Sequence, residues 1–392
     1  MKVLMIHNRY KIMGGEDVST NAEAALLKDS GLDLETLIIT NDSIENENMI
    51  GLAINTVWSK KYHQLLLKKI KENKYDIIHV QNFFPLFSPS IFYAAQKAGT
   101  KIIMTVRNYR LICPNGLMYV HGAVCEQCVG KTIPYPALMK KCYRESLGAT
   151  SVTVGMLAVH NILNTWDAKV DGYICISEFV KDQLKKGGFK ADKLHVKYNF
   201  VVTDLPPVYE PEDYYVYLGR ISTEKGIDIL LDAFQKNKKR LLIIGDGPLK
   251  DEVIQASKMH SNIEYLGKLP LNDSYKIVSR AKALIFPSKW HEPFGRTIVE
   301  AFAHATPVIG AKMGGVTELI KDGYNGFLFD PSNAAGLNQA IDALDSVADK
   351  VKLRQNAFES YKNSFTPEKN LKSILEIYDK FLQKSQKGTV TT

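Results

Sequence analysis

The chain has 392 residues, of which 45% are hydrophobic and 23% charged, with a formal net charge of +8. That is enough globular chain for two domains, each with its own core. No run of eighteen apolar residues occurs, so no membrane span is expected. The charge comes without a nucleic-acid recognition motif or interleaved aromatic and basic residues, so nucleic acid is not an expected partner.

The amino terminus enters a strand directly, too short and too lightly flanked for a signal peptide, and a cytoplasmic location is expected. Strand-like runs fall at 2–7, 34–40, 76–80, 101–106, 172–176 and 194–197. Helical patterns fill the gaps at 16–30, 56–72, 89–97, 150–167 and 178–186, the alternation of a parallel sheet covered by helices. Gly14 and Gly15 follow the first strand. His79 sits inside the third and reads as a core histidine. After it come Gln81, Asn82 and Phe83, amides beside rings at a strand end, the composition of a saccharide site; Phe87 reads as core. Residues 1–203 hold 25 Lys and Arg against 18 Asp and Glu, so most of the excess charge lies in this half. The stretch 60–71 reads as a basic amphipathic helix, either a solvated face or a face resting on anionic lipid.

Cys113, Cys125, Cys128 and Cys142 cluster in a glycine- and proline-rich loop. Four thiols in a non-secreted chain suit a structural tetrahedral zinc. Only Cys125 and Cys128 form a close pair, however, so free packed thiols remain the equal alternative. Cys175 lies in an apolar run and reads as core.

Three prolines break both periodicities at 202–211, which sets the expected boundary between a domain at 1–202 and a second at 203–365. The second half repeats the alternation, with strands at 214–218, 240–244, 262–266, 283–286 and 307–310. A last amphipathic helix is expected at 366–384, before a disordered tail at 385–392.

Two segments of the second half carry chemistry. Gly219-Arg220-Ile221-Ser222-Thr223-Glu224-Lys225-Gly226 places two cations in one strand-to-helix loop, a way of holding a diphosphate without a metal. Trp290 to Glu300 contains two glutamates with seven residues between them. Glu300 falls in about the first turn of a helix and Glu292 in the loop before it. The N–H groups of Phe294, Gly295 and Arg296 are then expected at a helix start, where oxygen-rich ligands bind, with carboxylates to take hydroxyls.

In this order the two segments resemble the family-4 type of retaining glycosyltransferases with the GT-B fold. Gly245-Asp246-Gly247-Pro248, Thr306 to Gly310, Gly314-Gly315 and Asp322 to Phe327 extend the likeness, and Gly14-Gly15 matches the family's first glycine loop. The resemblance implies an α/β protein of two Rossmann-like parallel-sheet domains facing across a cleft. It implies transfer of a sugar from a UDP or GDP sugar to a saccharide acceptor, lipid-linked in many relatives, with retention and no catalytic metal. Such work is part of surface polysaccharide or lipid-linked oligosaccharide assembly, peripheral on the inner face of the cytoplasmic membrane. By the same likeness Arg220, Lys225, Gly14, Gly15, Gly245 and Gly247 face the diphosphate, and Lys268 and Leu269 line the base. Glu300 takes the ribose; Glu292, Phe294, Gly295, Arg296 and Thr297 hold the sugar end. Asn108, Tyr109 and Arg110 join Gln81, Asn82 and Phe83 on the acceptor side. Arg107 stands where relatives commonly have histidine, and is expected to face an anionic ligand. Two rival functions remain: a GT-B sugar-nucleotide epimerase or hydrolase, and a non-catalytic GT-B partner subunit.

Overall fold

The computed structural model describes residues 1–11, 14–42 and 48–387. The tail expected at 385–392 lies outside them from residue 388 on. Two compact units divide the chain: Met1–Val120, Cys125–Tyr198 and Asn370–Thr392 make the first, His121–Val124 and Asn199–Lys369 the second.

The first unit is built on six parallel strands: β1 (Lys2–Arg9), β2 (Asp33–Thr40), β3 (Ile77–Asn82), β4 (Lys101–Val106), β5 (Gly172–Cys175) and β6 (Leu194–Val196), in the order β2-β1-β3-β4-β5-β6. β1 runs beside β2 with Lys2 opposite Asp33 and Arg9 opposite Thr40. Helices cover both faces, so the central strands are apolar on both sides rather than alternating; Val3, Leu4, Met5 and Ile6 are all buried. The helices are α1 (Gly15–Asp29), α2 (Met49–Val57), α3 (Lys60–Asn73), α4 (Ser90–Lys97), α5 (Pro136–Lys140), α6 (Leu147–Ile162), α7 (Thr165–Ala168) and α8 (Glu178–Lys186). Two differ from the sequence reading. The helix expected at 56–72 is two helices, because Trp58 turns extended after the first and Ser59 caps the second, accepting from the Tyr62 N–H. The helix expected at 150–167 breaks at Asn164, which takes a left-handed conformation.

The last helix, Pro367–Lys387, lays Ile374, Ile377, Tyr378 and Phe381 into the core formed by Val3, Met5, Ile77, Ile103 and Ile174. His79 is buried in the same unit, as its apolar setting implied. Its ring bonds Tyr378 Oη at 2.8 Å and Thr105 Oγ1 at 2.7 Å.

The second unit repeats the plan with β7 (Tyr215–Leu218), β8 (Leu241–Ile244), β9 (Ile263–Gly267), β10 (Ala283–Phe286), β11 (Val308–Ala311) and β12 (Gly326–Phe329), ordered β9-β8-β7-β10-β11-β12, again parallel. β12 was not expected, since it is short and opens on a glycine. Its helices are α9 (Ile227–Asn237), α10 (Lys250–Met259), α11 (Leu271–Arg280), α12 (Arg296–Ala303), α13 (Val316–Leu319), α14 (Ala334–Asp345) and α15 (Lys350–Ser364).

In each unit the strand order reverses once, between β1 and β3 in the first and between β7 and β10 in the second. Open α/β sheets bind ligands beyond the carboxyl ends of the strands at such a reversal. The loops leaving β7 and β10 are those that carry Arg220 to Lys225 and Glu292.

Candidate active site

In the second unit the two reversal loops meet. Lys225 Nζ lies 2.7 Å from Glu292 Oε2. The same oxygen accepts from Trp290 Nε1 at 2.9 Å and Ser288 Oγ at 3.2 Å. Three donors thus converge on one oxygen, while Oε1 has no hydrogen bond from the described residues. Neither Ser288 nor Trp290 drew a role from sequence, although both lie within four residues of Glu292.

Glycines hold this geometry. Gly245 has φ +150°, and a Cβ there would fall 1.8 Å from the Gly219 carbonyl oxygen. The turn can therefore lie directly on the Arg220 loop, which it grips through Ile221 N–H to Asp246 O at 2.9 Å and Leu249 N–H to Ile221 O at 3.1 Å. Gly314 does the same for Glu292: its φ is +59°, and a Cβ would meet the Glu292 carbonyl oxygen at 2.5 Å. The next residue, Gly315, donates its N–H to that oxygen at 2.8 Å. Alanine at either position forces the backbone apart.

Glu300 lies within α12, in its second turn rather than its first, because the helix starts at Arg296. It is buried, and its Oε1 accepts from Arg296 Nε at 2.8 Å. Burial lowers the Arg296 pKa, but Glu300 outweighs it and leaves the guanidinium more basic than usual. Gly295 caps α12 without a side chain, and Phe294 is buried against Phe365. Thr297 and Leu269 are half-buried. Arg220 and Lys268 are exposed and form no ion pair with the described residues.

The first unit places its candidates less as expected. Gly14 caps α1, and a Cβ on Gly14 or Gly15 would meet nothing within 4 Å. The Gly14 N–H donates to Asp17 Oδ2 at 2.9 Å, and His7 Nε2 lies 2.7 Å from Asp17 Oδ1. Asn108 donates to Glu16 Oε1 at 2.7 Å, and Arg110 stacks over Phe84 and Tyr143 at 4.4 and 4.9 Å.

Arg107 is held by partners within the first unit. It is buried, donating from Nε and Nη2 to Gln81 Oε1 at 3.1 and 2.8 Å, with Glu23 3.6 Å away. Gln81 in turn donates to Glu23 Oε1 at 2.7 Å, so its amide serves this network rather than an acceptor. Asn82 donates to the Asn8 carbonyl and accepts from the Phe84 N–H. Phe83 packs against Phe92 and Trp166, and Tyr109 is fully buried. In the structure these four acceptor candidates and Arg107 are engaged within the first unit. Each lies at the right strand end but turns inward.

Glu23 centres that network. Lys197 Nζ bonds it at 2.6 Å and also reaches Asn370 Oδ1 at 3.3 Å. Burial raises the Glu23 carboxyl, but Lys197, Arg107 and His79 outweigh it and hold it at about 2. Burial drives His79 down to about 4, so its ring is neutral near neutral pH. A pH dependence follows. As pH falls below 6.5 the unfolded chain protonates this histidine while the folded ring does not, until about 4. Stability should drop across that window by on the order of 3 kcal/mol. The Glu23 contribution is lost lower, between 4.5 and about 2. Urea titrations of His79→Asn should narrow the loss in the upper window to the share of His160 and His304, which burial also lowers, and keep the lower window.

The zinc reading finds no support among the described residues. Cys113, Cys125, Cys128 and Cys142 are free thiols, and no group of three or more His, Cys, Asp or Glu among the described residues is gathered to hold a metal. Cys113 Sγ donates to Asn115 Oδ1 at 3.0 Å, and Cys128 packs with Ala137 and Val154. Burial, then neighbouring thiols, pushes Cys128 up to about 12 and Cys142 to about 11. Cys175 is core.

Residues 206–362 match the family described as glycosyl transferases group 1. An uncharacterized glycosyltransferase of Methanocaldococcus jannaschii is 26% identical over 97% of this chain and 98% of its own length. The O-antigen chain mannosyltransferase C of Escherichia coli is 26% identical over 44% of this chain, which spans only 48% of that protein. Among solved structures, Anabaena HepE in complex with UDP-glucose superposes with a TM-score of 0.67 at 18% identity, covering 97% of this chain and 100% of that one. The shared fold and the group 1 domain together support a GT-B glycosyltransferase.

Proposed function

We propose that the chain is a retaining glycosyltransferase that moves a sugar from a UDP sugar to a saccharide acceptor in surface polysaccharide assembly. The observation that carries this reading is the convergence of Lys225, Ser288 and Trp290 on one oxygen of Glu292 at the second unit's strand-order reversal. When a diphosphate arrives, Lys225 can turn to it while Ser288 and Trp290 keep Glu292 Oε2 bonded, so no buried charge is stranded. Oε1 then accepts a hydroxyl of the transferred sugar. Glu300 accepts the ribose hydroxyls, Lys268 and Leu269 flank the base, and the Gly245 to Gly247 turn gives backbone room beside the phosphates. Phe294, Gly295, Arg296 and Thr297 place the start of α12 against the sugar end. Gly14 and Gly15 keep, by resemblance, a diphosphate-facing role in the first unit. UDP is preferred over GDP because solved relatives of this fold hold UDP and UDP-glucose.

As the anomeric carbon–oxygen bond breaks, charge gathers on the departing phosphate, where Arg220 and Lys225 oppose it. The acceptor hydroxyl attacks from the same face and passes its proton to that phosphate, so the configuration is retained. Asn108, and Arg110 over the Phe84 and Tyr143 rings, are kept as the acceptor-side residues of the first unit. A lipid-linked saccharide is the acceptor class in this reading.

The test is release of UDP from a panel of UDP sugars with and without a saccharide acceptor. Release that needs acceptor is expected; release into water alone, or none with any donor, would count against transfer. Glu300→Gln should lower UDP affinity by roughly tenfold, the loss of one charge-assisted hydrogen bond, with little change in melting temperature. Lost stability without lost affinity would make Glu300 only a helix residue.

A further inference from the structure

We propose that the outer face of α2 and α6 in the first unit is a docking surface for an anionic lipid bilayer. The two helices, of 9 and 16 residues, contain no Asp, Glu, Lys or Arg. They pack on one another, and the junction is pinned by His160 Nε2 at 2.9 Å from the Val57 carbonyl oxygen. Away from that contact the apolar side chains point outward. Met49 is 84% exposed, Ile50 70% and Ile54 63% on α2, and Ile162 is 65% exposed at the end of α6. Exposed Leu147 opens α6, and Met139 lies on α5, which also packs on α6. Water-facing helices normally carry charges on the outer side; an uncharged pair with large apolar groups outward marks a contact surface.

Charge selects the occupant. Within 131–169 the sequence has five Lys and Arg against two acids. One of those acids, Asp167, is already paired with Lys190 at 2.8 Å. Exposed Lys60, Lys61, Lys141 and Arg144 follow or flank the uncharged helices. A second copy of the same face would bring these cations against one another, whereas an anionic bilayer takes apolar side chains and cations together. The surface is not the basic helix that the sequence suggested. That helix, α3, buries Leu66 and Ile70 and packs on α4; only its first two residues, Lys60 and Lys61, join the surface, while Lys69 pairs with Glu35. No helix among the described residues is long and apolar enough to cross a membrane, so contact would be at the interface.

The surface deepens the proposed function by naming where a lipid-linked acceptor's bilayer is met. The test is co-sedimentation of the full chain with vesicles of equal parts phosphatidylcholine and phosphatidylglycerol, against phosphatidylcholine alone. The wild type should bind the anionic vesicles, less as salt rises, and I50E/I54E/I162E should bind at least about tenfold more weakly. The three positions are exposed, so melting temperature and transfer to a water-soluble saccharide should be unchanged in the variant. Equal binding by wild type and variant, or no binding by the wild type, would overturn the proposal. So would a wild-type dimer in sedimentation velocity that the variant converts to monomer, since the face would then belong to a second copy. Vesicle binding does not require catalysis: failure of sugar transfer with intact vesicle binding rejects the proposed function and leaves the surface standing.

Discussion

Lys225→Ala is expected to lower UDP affinity by roughly ten- to a hundredfold, the loss of a charge-assisted phosphate contact of about 1.5–3 kcal/mol. The effect on turnover should be larger still, because the same cation opposes charge that grows as the phosphate departs. The fold should survive. Glu292 keeps its bonds from Ser288 and Trp290 when Lys225 is gone, and Lys225 is only partly buried. Arg220→Ala should act in the same direction, and the double variant should lose less than the two losses combined, since both side chains address one diphosphate. Calorimetry with UDP measures all three. Unchanged affinity in both single variants would remove this loop from the site.

Glu23→Ala should be the most destabilising single change in the first unit. It removes the carboxylate bonded to Lys197 and lying 3.6 Å from Arg107, both with side chains only 2% exposed, and breaking a buried pair in this way costs roughly 3–5 kcal/mol. Gln81 would lose its acceptor as well. Urea unfolding should show the loss directly. Glu23→Leu combined with Lys197→Met should lose less than the sum of the separate changes, because the second removes one of the charges the first exposes. Simple additivity would mean that the cluster is a set of independent contacts.

The two prospective sites differed in how far the sequence revealed them. In the second unit, ligand chemistry and local pattern coincide. Arg220 and Lys225 sit in one loop and Glu292 and Glu300 in one segment, each following an apolar strand, so strand-end placement could be read from the residues alone. What the pattern could not supply was the pairing of Lys225 with Glu292, which needs β7 and β10 to be neighbours although β8 and β9 lie between them in sequence. In the first unit the strand ends were also located, but not the direction of the side chains. Arg107 looked outward because nothing near it in sequence could neutralise it. Its partners, Glu23 on α1 and Gln81 on β3, are brought to it only by the folded sheet, and Lys197 joins from β6's end, 174 residues from Glu23. Ser59 and Asn164, the two helix interruptions, were weak signals for a similar reason: a cap and a left-handed residue look like ordinary polar positions within a helical pattern.

Proton NMR of one reaction, a UDP sugar with a saccharide acceptor, tests the central claim most directly. The account predicts a new anomeric resonance with the donor's configuration, growing at the rate UDP appears, absent without acceptor and nearly abolished by Lys225→Ala. A product of opposite configuration, free sugar in place of a glycoside, or full activity in Lys225→Ala would contradict it.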